Sequence, residues 1–132
     1  MILINNYICG NAMRVNMKEV SQLYHNNFGV AFYWKKDGKV LQNRIQLVFR
    51  ETGFYLTPYQ LSEFSELIKT CKDMRCESCA MKGRCHKFLL KTPVPEIDLA
   101  VNHIEFTEIK DLVEGALFNV ALQGYVFNEG RN

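Results

Sequence analysis

Four of the chain's five cysteines fall within fifteen residues. The stretch reads CKDMRCESCAMKGRCHK, from Cys71 to Lys87. The spacing is Cys71-x4-Cys76-x2-Cys79-x5-Cys85, with His86 next to the last cysteine. A C-x2-C pair lets two thiolates point at one ion, and zinc asks for four such ligands in a tetrahedron. Cys71, Cys76, Cys79 and Cys85 are therefore the candidate metal ligands. A second C-x2-C pair is missing, and the adjacent Cys85 and His86 would usually point apart. Cys71 also has another reading: it falls on an apolar helical stripe, where cysteine serves as a small core residue. If Cys71 packs inward, three thiolates remain, completed by His86 or water.

The same four thiolates suit a [4Fe–4S] cluster. The segment CESCAMKGRC resembles the three-cysteine tail of iron–sulfur nucleases and the auxiliary-cluster segment of some radical enzymes. The nuclease pattern sets its fourth cysteine far upstream and comes with a carboxylate motif that this chain lacks. The auxiliary-cluster pattern adds a cysteine shortly after the position of Cys85, and none occurs here. A thiol redox role is a third option, because Arg75, Lys82, Arg84 and Lys87 would favour thiolate. Thioredoxin-like chemistry places its pair at a helix N-terminus after a strand, however, and here the pair follows a helix.

A chain of 132 residues, 48% hydrophobic, can build one domain's core without staples. A single domain over 1–132 is expected, with the cysteine-rich loop 71–86 inserted in it. The net charge of +2 names no polyanionic partner. The charge is uneven: Lys69 to Lys91 carries seven Lys/Arg and two Asp/Glu, a local excess of +5. Aromatic residues do not interleave with these cations, so a solvated loop is expected rather than a nucleic-acid surface. The start, MILINNYICGNAM, lacks a basic leader and a long apolar run, and no stretch has the roughly 18 apolar residues of a membrane span. A cytoplasmic location is expected, where metal binding or free thiols are favoured over disulfides. Metalloprotease, P-loop, dinucleotide and hydrolase-elbow motifs are all absent, and no catalytic residue is assigned. His25 and His103 lack a partner pattern and are expected at the surface. Trp34 is expected in the core.

The elements that would position the cysteines are marked by three N-cap signals. Asn16 with Glu19, Thr57 with Gln60 and Asn102 with Glu105 each have the spacing of a capping box, and Pro58 takes a first helical position. After the second box, Leu61, Phe64, Leu67, Ile68 and Cys71 form an apolar stripe. Forty-five residues on, Phe106, Ile109, Leu112, Val113 and Ala116 repeat it. Phe54 and Leu56 before one box correspond to Leu99 and Val101 before the other, which suggests a strand–helix pseudo-repeat. The first copy fades after Leu23, where Asn26 and Asn27 occupy apolar slots. Strands are expected at Phe28–Trp34, around Ile45, Leu47 and Phe49, at FYL, at KFLLK and at EIDLAV. A turn is centred on Asp37-Gly38, and Gly53 is expected to serve the turn before FYL. From Ala116 to Phe127 apolar residues spread beyond one face. That points to a helix covered on two sides, by its own sheet or by a second subunit, or else to a terminal strand in GYVF.

Two stretches, Ile45 to Ile68 and Phe88 to Val120, resemble small uncharacterised bacterial proteins with a hairpin, an F-x-L-T turn and a capped helix. That family carries no assigned activity, so the resemblance implies a fold and transfers no functional residue. The expected fold is α+β: a mainly antiparallel sheet with two or three helices packed on it. The expected function is a non-enzymatic interaction or regulatory module, with a protein partner and a zinc-binding cysteine loop. The alternatives are an iron–sulfur or thiol redox-responsive protein, and a plain scaffold or dimerisation domain without metal that pairs through the last helix.

Overall fold

The computed structural model describes residues 19–71 and 87–129. Its strands are β1 (Val20–His25), β2 (Gly29–Lys36), β3 (Lys39–Val40), β4 (Ile45–Phe49) and β5 (Thr52–Leu56), followed by helix α1 (Pro58–Thr70). After the cysteine-rich stretch come β6 (Phe88–Lys91), β7 (Asp98–Val101) and helix α2 (His103–Glu129). The first sheet runs β1-β2-β4-β5, with the short β3 paired to β2, and every pairing in it is antiparallel. Strands β6 and β7 form a separate antiparallel hairpin. The α+β architecture is the one expected, with two helices among the described residues.

Both capping boxes that lie wholly among the described residues are built. At α1, the Gln60 N–H donates to the Thr57 hydroxyl at 3.1 Å, and the Thr57 N–H donates to Gln60 Oε1 at 3.0 Å. At α2, the Glu105 N–H donates to Asn102 Oδ1 at 2.8 Å, and the Asn102 N–H donates to Glu105 Oε1 at 2.9 Å. Each box satisfies backbone donors that a helix start leaves open. Each also follows a strand, β5 or β7, so the strand–box–helix unit occurs twice at the 45-residue offset.

The helix expected after the first box does not run on through Val20 and Leu23. Asn16 lies outside the described residues, and Val20–His25 is strand β1. The error has a structural cause. The register of β1 on β2 slips between Gln22 and Tyr24, which pair with Phe32 and Ala31, so Leu23 is the extra residue of a bulge. The bulge sends both Leu23 and Tyr24 to the helix side of the sheet, while Val20 packs on the opposite side. An apolar spacing of three, which reads as helical, is here a strand with one residue too many.

The main core lies between one face of the sheet and the two helices. It gathers Ala31, Ile45, Leu47 and Phe54 from the sheet, Leu61, Phe64 and Ile68 from α1, and Ile109, Leu112, Val113 and Ala116 from α2. The hairpin closes it with Phe88, Leu90 and Val101. Phe54 meets Phe64 edge-on at 5.9 Å and Phe88 meets Phe106 at 5.5 Å, separations at which aromatic pairs attract. The other face of the sheet is buried as well, through Val20, Val30, Phe32 and Val48, with Trp34 packed against them. Val48, which alternates with Leu47 and Phe49 along β4, belongs to this second cluster. Trp34 is half-buried and donates its indole N–H to Gln46 Oε1 at 3.2 Å.

Two turns correct or sharpen the reading of the sequence. Asp37 and Gly38 both have positive φ, 53° and 78°, as a hairpin turn between β2 and β3 requires. The turn between β4 and β5 is made by Arg50 and Glu51, with Arg50 at φ 53°. Gly53 is not part of that turn; it pairs with Val48 inside β5.

Helix α2 covers 27 residues, about 40 Å at 1.5 Å per residue. GYVF is therefore helical and not a terminal strand. The first half of α2 is clamped to the sheet. The Tyr24 hydroxyl donates to Asp111 Oδ2 at 2.9 Å, and Asn26 Nδ2 donates to the same oxygen and to the Glu108 carbonyl, both at 3.0 Å. Asn26 Oδ1 accepts from the N–H groups of Phe28 and Gly29, which shapes the β1–β2 loop. Asn26, which breaks the first apolar stripe, is thus a turn residue that also docks a helix. Beyond Ala116 the helix exposes Phe118 and Leu122, at 67% and 48% of their surfaces.

Candidate functional site

Of the four candidate metal ligands, the structure describes Cys71; Cys76, Cys79 and Cys85 lie outside the described residues, as does His86. Cys71 is the C-cap of α1. Its N–H donates to the Ile68 carbonyl at 3.2 Å, and its extended backbone, φ −72° and ψ 130°, turns the chain away from the helix axis. The residue is half-buried and packs against the main core. Both sequence readings of Cys71 meet here: it stands at the last rung of the apolar stripe and at the first residue of the cysteine-rich stretch. That stretch leaves from α1 and returns at β6, and these two elements pack directly on each other. Both ends of the stretch are therefore held by elements that pack on each other. Among the described residues no three His, Cys, Asp or Glu side chains gather as a metal site. His25 is exposed, as expected, and its Nδ1 lies 2.9 Å from Gln22 Nε2; His103 is half-buried.

The returning end of the stretch meets a second feature that sequence reasoning missed. Lys87 approaches Glu105, with Nζ 3.4 Å from Oε1. From the other side, Arg50 Nη2 lies 2.6 Å from Glu105 Oε2. Glu105 is buried, with 8% of its side chain exposed, whereas Arg50 and Lys87 are 60% and 54% exposed. The Arg50 guanidinium also stands 5.2 Å from the centre of the Phe28 ring, which stacks on Phe49 at 5.6 Å. These groups line a cavity of about 140 Å³, together with Thr52 from β5, Leu99, Ala100 and Val101 from β7, and Ile109 from α2.

Burial alone would push the Glu105 carboxyl up. The Asn102 N–H bond and the charges of Arg50 and Lys87 outweigh it and hold the group below the usual glutamate value of 4.5. A carboxylate whose folded pKa is lowered adds stability that is complete above its unfolded pKa and is lost as pH falls through the folded one. Stability should therefore decline on acidification below about pH 4.5, the usual glutamate value. Glu105→Gln keeps an oxygen for the Asn102 N–H but removes the charge. This variant should lose about 1–2 kcal/mol at pH 7, since both cations remain solvated, and should show a shallower acid slope in urea titrations from pH 7 to pH 3. An unchanged slope would show that Glu105 carries none of the acid sensitivity.

The capping box located Glu105 in the sequence and explained it completely as a helix start. Nothing in the spacing of Arg50 or Lys87 links either to it, because a hairpin turn and a hairpin entry bring them there through the fold. The only local signal was an acid at the third position of a box that follows a strand.

No protein-family model, curated protein or solved structure matches this chain, so no activity is carried over to it by likeness.

Proposed function

We propose that this chain is a non-enzymatic interaction or regulatory module in which Cys71, Cys76, Cys79 and Cys85 bind one zinc ion. The observation that carries the reading is a cysteine-dense stretch held at both ends by packed elements, α1 through the Cys71 C-cap and β6 through Phe88. Zinc would close such a stretch, because four thiolates tied to one ion restrict a chain that has few apolar residues of its own. A closed zinc site with no open coordination position supports structure rather than catalysis, and the basic residues around it would then be presented to a partner protein. The test is elemental analysis with an absorbance spectrum on protein purified without oxygen. About one zinc per chain and no visible absorbance is the expected result. Iron with a brown absorbance would replace this reading with a [4Fe–4S] redox or sensing protein. Metal-free protein would overturn both.

A second reading, self-association through the last helix, is favoured by one observation. Phe118 and Leu122 stand one helical turn apart on α2, both exposed, on a helix whose other side is the core stripe. Two such helices laid together would remove this apolar surface from water. Sedimentation should show a dimer that Phe118→Glu converts to monomer without lowering the melting temperature. A wild-type protein that stays monomeric at the highest concentration reached would end this reading.

A further inference from the structure

The cavity beside Glu105 is lined by two kinds of group. Phe28, Phe49, Leu99, Val101 and Ile109 are apolar, and Arg50, Thr52, Lys87 and Glu105 are polar. The polar groups include two cations and one carboxylate, a net charge of +1 in a partly enclosed space. Buried Glu105 is already served, by the Asn102 N–H at 2.9 Å and by both cations. The cations are not used up in the same way. A guanidinium carries five N–H donors and an ammonium three, so single contacts to Glu105 leave each able to bind a second acceptor. Arg50 is also held in place by its turn, with φ at 53°, and by the Phe28 ring. Its contacts with Glu105 and the Phe28 ring set its guanidinium at the cavity, although 60% of the side chain is exposed.

We infer that this cavity is a binding site for a small amphiphilic monoanion, a short aliphatic carboxylate. The carboxylate bridges Arg50 and Lys87, and the alkyl chain lies against Leu99, Val101 and Ile109. The charge argument sets the ligand's class: one negative charge balances the excess cation, and Glu105 repels a second. The size argument sets its length. A cavity of about 140 Å³ matches the roughly 150 Å³ space that accepts a benzene-sized molecule, so about six heavy atoms fit. Butyrate has that size. Arginine favours carboxylates because its planar fork matches their two oxygens. The site does not depend on whether the cysteine stretch holds a metal.

The experiment is a titration of the full chain with sodium butyrate, followed by backbone amide shifts, against sodium chloride at equal ionic strength. Saturable shifts centred on Arg50, Thr52, Val101 and Ile109 are expected, with a Kd of about 1 mM. Arg50→Gln should weaken binding at least about tenfold, the loss of one charge-assisted bond of roughly 1.5 kcal/mol or more. Thr52→Val, which keeps the shape and leaves both ion pairs in place, should weaken it a few-fold. Butan-1-ol and butylammonium should give no shifts at the cavity. Butyrate binding unchanged in Arg50→Gln, or butanol binding as tightly as butyrate, would overturn the assignment. So would butyrate shifts that chloride reproduces. Should Arg50→Gln lose its fold, the Thr52→Val and butanol results decide the question alone.

Discussion

Cys79→Ser should lower the stability of the metal-loaded protein by several kcal/mol. Cys79 is the second thiol of the C-x2-C pair, the part of the stretch whose spacing alone would let two sulfurs reach one ion. A metal that binds the native chain and not the unfolded one stabilises it in proportion to the logarithm of its affinity. A serine in place of one thiolate that weakens zinc about a thousandfold therefore removes about 4 kcal/mol at a fixed zinc concentration. Thermal or urea unfolding with and without a chelator measures this. Wild type should lose stability on chelation, and Cys79→Ser should be indifferent to it. Cys71→Ala distinguishes the two roles of Cys71. A loss of zinc from this variant marks a ligand; a stability deficit that persists after chelation marks a core residue beside Ile68. Equal unfolding of wild type and Cys79→Ser in the presence of zinc would remove the structural metal from the proposal.

Gly29→Ala should cost about 3 kcal/mol, while Gly53→Ala should stay within about 0.5 kcal/mol of wild type. Both glycines lie in strands, where alanine ordinarily restricts the unfolded chain and helps slightly. At Gly29 a Cβ would collide with the Val48 carbonyl oxygen, and would lie 2.8 Å from Phe49 Cβ and 2.9 Å from Leu112 Cδ2. A backbone carbonyl in a sheet cannot step aside without breaking its ladder, and Leu112 is fully buried. The extra methyl must push β2 from β4, or α2 from the sheet. At Gly53 the nearest neighbour is Gln46 Nε2 at 3.3 Å, a side-chain amide bonded to the Phe54 carbonyl and to Trp34 that needs to give by only a few tenths of an ångström. Urea unfolding of the two variants checks the contrast. A Gly29→Ala protein as stable as wild type would mean that α2 does not press on the β2–β4 ladder as closely as these distances state.

The strength of the local signals decided how much was legible in the sequence. Thr57-Pro58 with Gln60, and Asn102 with Glu105, mark helix starts through chemistry confined to four residues, and both boxes form. Leu61, Phe64 and Ile68, and Ile109, Leu112 and Val113, reveal buried faces because helical period alone aligns them. Asp37-Gly38 announces its turn because few residue pairs accept positive φ. Val20 and Leu23 misled for the reason that these succeeded: a bulge imitated a helical spacing, and a bulge is settled by the partner strand. The burial of Val48 likewise depends on Val20, Val30 and Phe32, which come from two other strands.

The sequence by itself determined the α+β class, the hairpin around Asp37-Gly38, both capped helices and the grouping of four cysteines. Each depends on interactions between residues a few positions apart. Only the tertiary structure decided that Arg50 and Lys87 meet over buried Glu105, that Gly29 is a point of close approach, that Gly53 is not a turn residue, and that Cys71 sits where the core ends and the cysteine stretch begins. Those facts depend on which elements pack together. Packing is set by the summed burial of surfaces distant along the chain, and no single residue or spacing records it.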